Sequence, residues 1–553
     1  MPSSALYPAP SVCRRLLLYP SALSPVLPAS YNDSFPDDCP PAAGELANDH
    51  TKCRSHFLRT FQANSFLLNH LSVLPDALAI DDGSTRLSWG ELDHVVSCRS
   101  AWLLEKQCEP GDRVGLLMRN SSDYIPWVLA AISTGVWVVP LNWHLTEAEQ
   151  RYIAEDSAMR LLVCDSDFAG RELGCDRFQA PVEHEPVKGL SLSEGSPAGG
   201  IMLYTSGTTG RPKGVQRRSP TTLGELKKQW CEFGASIGLD GGRHLVTGPL
   251  YHAAPLLFAL YDLVNGGALM VMARFDAKKA LELIDQFKIS HSHWVPTMFV
   301  RALRLPEHSR DGFSGASLTL VLHGAAPIAP VVKRSVIEWW GPVLVEYWGG
   351  SESGAVSRCT SAQWLAHPGT VGKVLPHYEV IATRGGQALP EGEAGLLGIR
   401  LRSGEQAFSY WRDAEKTRKA YIKDAMFQLG DIGYVNEDYV YLLDRESHTV
   451  ISGGVNIYPA EVEAALLQQA LIADLAVFGV PDEEWGERLI AVLEVADDCR
   501  GKKSDAALSR EILDDAAKVL ASYKLPRELH FAEVGRNAAG KVPLASLRAR
   551  YSS

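Results

Sequence analysis

Between Ala77 and Val163 short apolar runs alternate with amphipathic stretches, and this alternation restricts the fold more than any other feature of the chain. Ser88-Trp-Gly-Glu91 has the spacing of a capping box. Leu92, Val95, Val96, Trp102 and Leu103 follow it at intervals that place them on one helical face. The pattern then predicts a strand at Val114–Met118, a helix from Asp123 and a strand at Val136–Val139. A second capping box at Thr146 to Glu149 opens another helix, and a strand follows at Leu161–Val163. Strand and helix in alternation predict a doubly wound parallel sheet, because parallel neighbours need a crossover helix between them. The same alternation between Leu245 and Leu322 predicts a second sheet layer in one large α/β domain. Beyond about residue 446 the pattern becomes α+β, with a helix near Glu461–Gln468 and strands near Leu475–Val480 and Leu489–Val495. That piece reads as a small separate domain.

Composition narrows the function classes. The 553 residues exceed one typical domain, and 46% apolar with 22% charged residues is ordinary globular usage, which excludes bulk disorder, collagen and coiled coil. A net charge of -11 argues against nucleic acid as a partner, while one local basic site for a phosphate-rich ligand stays compatible with it. The 10 cysteines are scattered and never form C-x-x-C, so no zinc knuckle or disulfide framework is indicated and a reducing cytoplasm is expected. Tyr124 to Trp143 carries no formal charge, yet Pro126, Gly135, Pro140 and Asn142 interrupt it. It reads as a buried helix, a glycine stop and a buried strand, so no integral membrane span is expected. Residues 1 to about 60 are rich in Pro, Ser and Ala, with no acidic residue before Asp33. A disordered extension is expected there, with a targeting segment or a mis-assigned start as alternatives.

The chemistry begins at Ile201-Met-Leu-Tyr204, a strand that runs into Thr205-Ser206-Gly207-Thr208-Thr209-Gly210-Arg211-Pro212-Lys213-Gly214. Glycines let a backbone approach a ligand closely, hydroxyls donate hydrogen bonds, and Lys213 adds a point charge, so the loop suits a polyphosphate. It lacks the Gly-Lys-Ser/Thr ending of a Walker loop. The stretch Gly349-Gly-Ser351-Glu-Ser353 fails the G-x-S-x-G nucleophile elbow at its last position, and neither H-E-x-x-H nor a Rossmann fingerprint occurs.

Tyr204 to Val215 resembles the phosphate-loop signature of adenylate-forming enzymes, the superfamily of acyl-CoA synthetases, peptide-synthetase adenylation domains and firefly-type luciferases. The resemblance extends over about residues 60 to 550, since further motifs of that family follow in order. Pro249-Leu-Tyr-His252 is similar to the aromatic-His element, which implies that His252 lines an acyl pocket. His323-Gly324-Ala325-Ala326-Pro327 is similar to the small-residue strand end whose backbone forms one face of an adenine slot. Tyr347-Trp348-Gly349-Gly350-Ser351-Glu352 resembles the aromatic-Gly-x-Thr-Glu motif, with Trp348 in place of Tyr and Ser351 in place of Thr. The resemblance implies an adenine-stacking face on Trp348 and a Mg²⁺-holding carboxylate on Glu352. Gly430-Asp431 resembles Thr-Gly-Asp, with Leu429 replacing the Thr, and implies that Asp431 takes the ribose hydroxyls. Asp444-Arg445, then Gly453-Gly454, resemble the hinge and glycine loop of a mobile domain, with Arg445 near ribose and Ser447 followed by His448 where a charged hinge residue is usual. Gly540-Lys541 resembles the mobile-domain lysine motif, without the basic residue common shortly after it.

The organisation so implied is an extension over residues 1–60, an N-terminal AMP-binding and acyl-binding domain over 61–444, and a mobile C-terminal domain over 445–553. The expected activity is an ATP-dependent acid–CoA ligase. A hydrophobic carboxylate attacks the α-phosphorus of ATP, pyrophosphate leaves, and the CoA thiol then displaces AMP. Lys541 and Mg²⁺ stabilise the transition state of the first step. Catalytic roles fall on Lys541, Glu352, Ser351 and His252. The nucleotide and CoA site is expected to comprise Thr205 to Gly210 with Lys213, Gly324 to Ala326, Trp348, Gly349, Ser351, Asp431, Arg445, Gly453, Gly454 and Lys541. The expected partners are the acid, ATP and CoA, with a homodimer as the assembly. An amino-acid adenylating enzyme is disfavoured, because no Asp or Glu between Thr247 and Tyr261 could meet an ammonium. A carrier-loading enzyme is the alternative kept. A regulator without catalysis is disfavoured by the presence of Lys541 and Glu352.

Overall fold

Both capping boxes close the helices they predict. The Ser88 hydroxyl accepts from the Glu91 amide at the start of Trp89–Glu105, and Thr146 does the same for Glu149 ahead of Glu147–Asp156. In this computed structural model the described residues are 74–180, 192–205, 212–423, 425–452, 455–496, 501, 503–537 and 540–552. They belong to one unit, Gln62–Ser553, and the expected extension over 1–60 lies outside the described residues.

The first sheet has four parallel strands, with Arg113–Leu117 between Trp137–Pro140 and Leu161–Cys164 and with Asp176–Gln179 on the edge. Its uncharged stretch is accounted for by burial, since every residue of the helix Tyr124–Ser133 is buried. Trp127 in this helix meets Trp102 edge-on at 5.4 Å. Gly135 ends the excursion at φ +79°, a conformation that glycine adopts without strain. Among the described residues no helix is long and apolar enough to cross a membrane.

The second sheet has 14 strands. Leu78–Asp81, Ala268–Val271, Arg243–Val246, His291–Trp294, Leu320–His323 and Leu344–Gly350 lie side by side in parallel, as the alternation predicts. At Leu344–Gly350 the direction changes. Gly354–Thr360 returns antiparallel, and the sheet continues antiparallel through Thr370–Val374, Tyr439–Arg445, Phe427–Asn436, Gly395–Leu401 and Tyr378–Arg384. The turn at this change of direction carries Ser351 and Glu352. Carboxyl ends of parallel strands are where open α/β sheets hold ligands.

Two smaller sheets complete the fold. Leu203–Thr205, Lys213–Arg217 and Phe408–Tyr410 form one. After Arg445 the chain enters a five-stranded sheet built on the long hairpin Ile472–Asp482 and Gly486–Val495, covered by the helices Pro459–Leu466 and Asp505–Ala516.

Candidate active site

Leu203–Thr205 and Lys213–Arg217 are antiparallel, with Thr205 opposite Lys213, so the two ends of the glycine- and hydroxyl-rich segment are paired side by side. Ser206, Gly207, Thr208, Thr209 and Gly210 lie outside the described residues, as do Gly453 and Gly454. This strand pair is held by Tyr204, whose hydroxyl donates to Asp156 Oδ2 at 2.6 Å. From Phe408–Tyr410, the third strand of this sheet, Tyr410 places its ring 4.6 Å below the Lys213 ammonium and donates its hydroxyl to Glu352 Oε1 at 3.2 Å. One aromatic side chain therefore links the predicted phosphate lysine to the predicted metal carboxylate.

The turn around Glu352 is tight. Ser353 Oγ accepts from the Gly350 amide at 3.0 Å, and a side chain at Gly349 would collide with the Gly354 carbonyl. Across the sheet Asp431 is buried at 5% exposure and receives two donors. Trp348 Nε1 donates to Oδ2 at 2.8 Å, and Arg445 Nε pairs with Oδ1 at 2.9 Å. Trp348 is itself buried, packed among Val215, Val356 and Tyr378. The indole N–H of Trp348 thus helps fix the carboxylate. Trp348→Phe, which keeps a ring and removes the N–H, is expected to raise the KM for ATP about ten-fold, the worth of a hydrogen bond to a charged group. Unchanged ATP kinetics would mean that Arg445 alone orients Asp431.

At the end of Leu320–His323 the small-residue segment approaches its neighbour closely. A Cβ on Gly324 would fall 2.6 Å from the Tyr347 carbonyl, and Ala325 sits at φ +66°, a left-handed strain of the kind that gathers at ligand sites. His252 is the N-cap of the helix Ala253–Val264. The segment before it is braced by Asn120, which accepts from the Leu250 amide at 2.8 Å and donates to the Gly248 carbonyl at 2.9 Å.

Lys541 comes from the other sheet system. Asn537 Oδ1 accepts from its amide at 2.9 Å, and Arg536 grips Asp474 with Nε at 2.8 Å and Nη2 at 2.9 Å while also donating to the Gly540 carbonyl. Gly540, at φ +74°, lies so close to Thr297 that a side chain would clash there. The Lys541 side chain is partly shielded by its surroundings and keeps contact with solvent. That burial, with Arg445 adding like charge, pushes its pKa below the usual lysine value.

His252 is pushed down to about 4, by burial first and then by Lys541 and His144. It is uncharged throughout the neutral range. The unfolded chain takes up this proton near 6.5 and the folded chain only near 4, so this group destabilises the fold increasingly as pH falls through that window. The stability of wild type relative to His252→Asn is expected to fall between pH 7 and pH 5 in thermal unfolding. A constant difference would show that His252 titrates normally.

Among the described residues no group of three or more His, Cys, Asp or Glu could hold a metal by itself. Mg²⁺ nevertheless fits, because it accepts one protein carboxylate when phosphates supply other oxygens, and Glu352 forms no ion pair with a described residue. Tyr410 and Asn120 were not anticipated from the sequence. Neither lies in a motif, and only the run of aromatics Phe408-Ser-Tyr410-Trp411 hinted at a packed site.

The parallel sheet with its turn at Glu352, and the likeness of the chain to the proteins below, place it among the carboxylate-activating, AMP-forming ligases. The chain belongs to the AMP-binding enzyme family, whose sequence profile matches residues 69–403, and the profile of the AMP-binding enzyme C-terminal domain matches residues 461–541. It is 30% identical to a 2-succinylbenzoate–CoA ligase of Geobacillus kaustophilus, over 86% of this chain and 96% of that protein. It is 30% identical to a feruloyl-CoA synthase of Amycolatopsis, over 89% and 100%. A long-chain-fatty-acid–CoA ligase of Mycobacterium tuberculosis is 27% identical, over 88% and 98%. Among solved structures, o-succinylbenzoate CoA synthetase from Bacillus subtilis in complex with its acyl-adenylate intermediate superposes with a TM-score of 0.74 at 26% identity, covering 89% of this chain and 98% of that one. ATP-bound MatB from Rhodopseudomonas palustris gives a TM-score of 0.75 at 26% identity, covering 89% and 99%.

Proposed function

We propose that the protein joins a hydrophobic carboxylic acid to CoA in two steps, with the residues above in the roles their chemistry suits. A carboxylate oxygen attacks the α-phosphorus of ATP and the bond to pyrophosphate breaks. The CoA sulfur then bonds to the acyl carbon, its proton passes to solvent, and AMP leaves. The observation that carries this reading is the turn at Gly540, which lies against Thr297 and brings Lys541 near enough for its charge to reach Arg445 and His252, because a cation held there stabilises the charge that develops during adenylation. Lys213 would hold phosphate oxygens, and Asp431, fixed by Trp348 and Arg445, would accept from the ribose diol. Mg²⁺, when bound through Glu352, would supply neutralisation of phosphate charge. Ser351 would donate to a phosphate oxygen. Gly324 to Ala326 would offer the adenine slot, with Trp348 on the side of Asp431. Gly453 and Gly454 would admit the pantetheine arm.

His252, kept neutral, opens a helix whose first residues Ala253, Ala254, Pro255, Leu256 and Leu257 are apolar, which supports an acid with an apolar body. The relatives named for 2-succinylbenzoate, feruloyl and long-chain fatty acyl groups support the same reading. Asp262, the first carboxylate after His252, is tied to His244 and His291 at 3.0 and 2.8 Å and is not free to meet a substrate ammonium. We place the enzyme in the cytoplasm, in keeping with Cys108, Cys164, Cys175, Cys231 and Cys359, whose thiols form no disulfide. A homodimer belongs to the same proposal. The test is mass spectrometry of the products formed from ATP, Mg²⁺, CoA and a panel of fatty, aryl and polycyclic acids. AMP with an acyl-CoA is expected. Adenylate without thioester would instead indicate loading of a carrier protein.

A further inference from the structure

A cavity of about 600 Å³ lies next to the turn that bears Ser351 and Glu352, lined by Ser353 and Gly354 on one side and by Leu257 and Tyr261 on another. It has the volume of a small-molecule site, and Leu226, Trp230 and Phe233 give it an apolar wall. Among its polar lining residues is Arg217, on the strand that begins with Lys213. Arg217 is half-buried and lines the cavity together with Tyr261, where its charge opposes the larger upward push that burial gives this phenol. It lies against Gly354, where any side chain would collide with Nη1, and its charge also reaches the buried Tyr378.

No carboxylate among the described residues forms an ion pair with Arg217. Its neighbour Arg218 is paired with Glu405, and Glu225 stands at the exposed mouth. His377, also on the wall, is kept toward its neutral form by burial. A cation beside an apolar cavity without a counter-charge costs free energy unless a ligand supplies one. Arg and Tyr together present a planar fork and an O–H donor, a combination that suits a carboxylate.

Building on the ligase reading above, we infer that the acid substrate carries a second carboxylate, remote from the one that is activated, and that Arg217 with Tyr261 recognises it. The apolar body would lie between the two ends, along Leu226, Trp230, Phe233 and Leu257. Arg217 is then a specificity-determining residue that takes no part in the chemistry.

The experiment measures AMP release by the full-length enzyme with matched acids that differ only in a far carboxylate, decanoate against decanedioate and 4-phenylbutanoate against its ring-carboxylated analogue. In at least one pair the diacid is expected to have a kcat/KM at least ten-fold higher. Arg217→Met is expected to remove most of that ratio through KM, and Arg217→Lys to restore part of it. Diacid is also expected to raise the thermal midpoint of wild type more than monoacid does, and to lose that advantage in Arg217→Met. A preference for the monoacid in both pairs, or a diacid preference that survives in Arg217→Met, would overturn the inference and leave the ligase reading intact. Absence of AMP release from every acid would overturn both.

Discussion

Lys541→Ala is expected to slow formation of acyl-adenylate by roughly 10²–10³-fold, the usual cost of removing one preorganised donor from developing charge. Thioester formation from acyl-adenylate supplied ready-made is expected to proceed at close to the wild-type rate. The separation follows from where the lysine sits. Its turn is clamped by Arg536 on Asp474 and seated against Thr297 through Gly540, so this arrangement of the C-terminal sheet sets where the lysine stands. Acid, ATP and departing pyrophosphate meet its charge in that arrangement, whereas thiolysis, in which negative charge develops on the departing AMP, is assigned to a second arrangement of the mobile C-terminal domain that withdraws Lys541. Burial and Arg445 together lower its pKa, yet the ammonium remains the form that can stabilise the transition state. Pyrophosphate exchange reads the first step and thiolysis of synthetic adenylate reads the second. Equal loss of both would remove the assigned role and leave Lys541 as a structural contact between the two sheet systems.

The elements that were legible in the sequence are those that local chemistry decides. Ser88 with Glu91 and Thr146 with Glu149 specify helix starts within a single turn, and Gly135 marks a chain reversal because its backbone conformation excludes other residues at little cost. The parallel half of the large sheet was legible for the same reason, since each strand is a short apolar run flanked by helices. The antiparallel half was not read. Its strands from Gly354 to Arg445 alternate buried and exposed positions irregularly, and the register shifts at Thr370/Gly372, Leu396/Gly398 and Ile432/Gly433 break the period of two. At the site, the motif segments were visible but their cross-links were not. Tyr410 reaches Glu352 from 58 positions away, Trp348 reaches Asp431 from 83, and Asn120 braces Leu250 from 130. Arg217 shows the limit well. In sequence it is one of two adjacent arginines after a glycine loop, and only the structure separates Arg218, paired with Glu405, from the residue that faces a cavity.

The second large effect concerns the strand that delivers Trp348, Ser351 and Glu352. Glu346, Trp348 and Leu344 project to the same buried side of Leu344–Gly350, and Glu346 is held there by Lys333 of the helix Pro330–Trp340, Nζ to Oε2 2.5 Å. Lys333 is 0% exposed and Glu346 5%, with the ammonium also 5.0 Å from the Trp364 ring. Burial pushes the Glu346 pKa up and Lys333 pulls it down, so the carboxylate depends on Lys333 to remain charged in this setting. Lys333→Met is expected to destabilise the protein by about 3–5 kcal/mol, because the carboxylate left behind is buried without a counter-ion. The double variant Lys333→Met with Glu346→Leu is expected to recover most of that loss, since two apolar side chains of similar volume need no solvation. Denaturant unfolding of the three proteins tests this, together with the KM for ATP in the double variant. If Lys333→Met alone is as stable as wild type, the pair is not holding the strand. If the double variant recovers stability but not ATP affinity, the pair serves to aim Trp348 at Asp431, and its retention in an apolar layer is explained by the site.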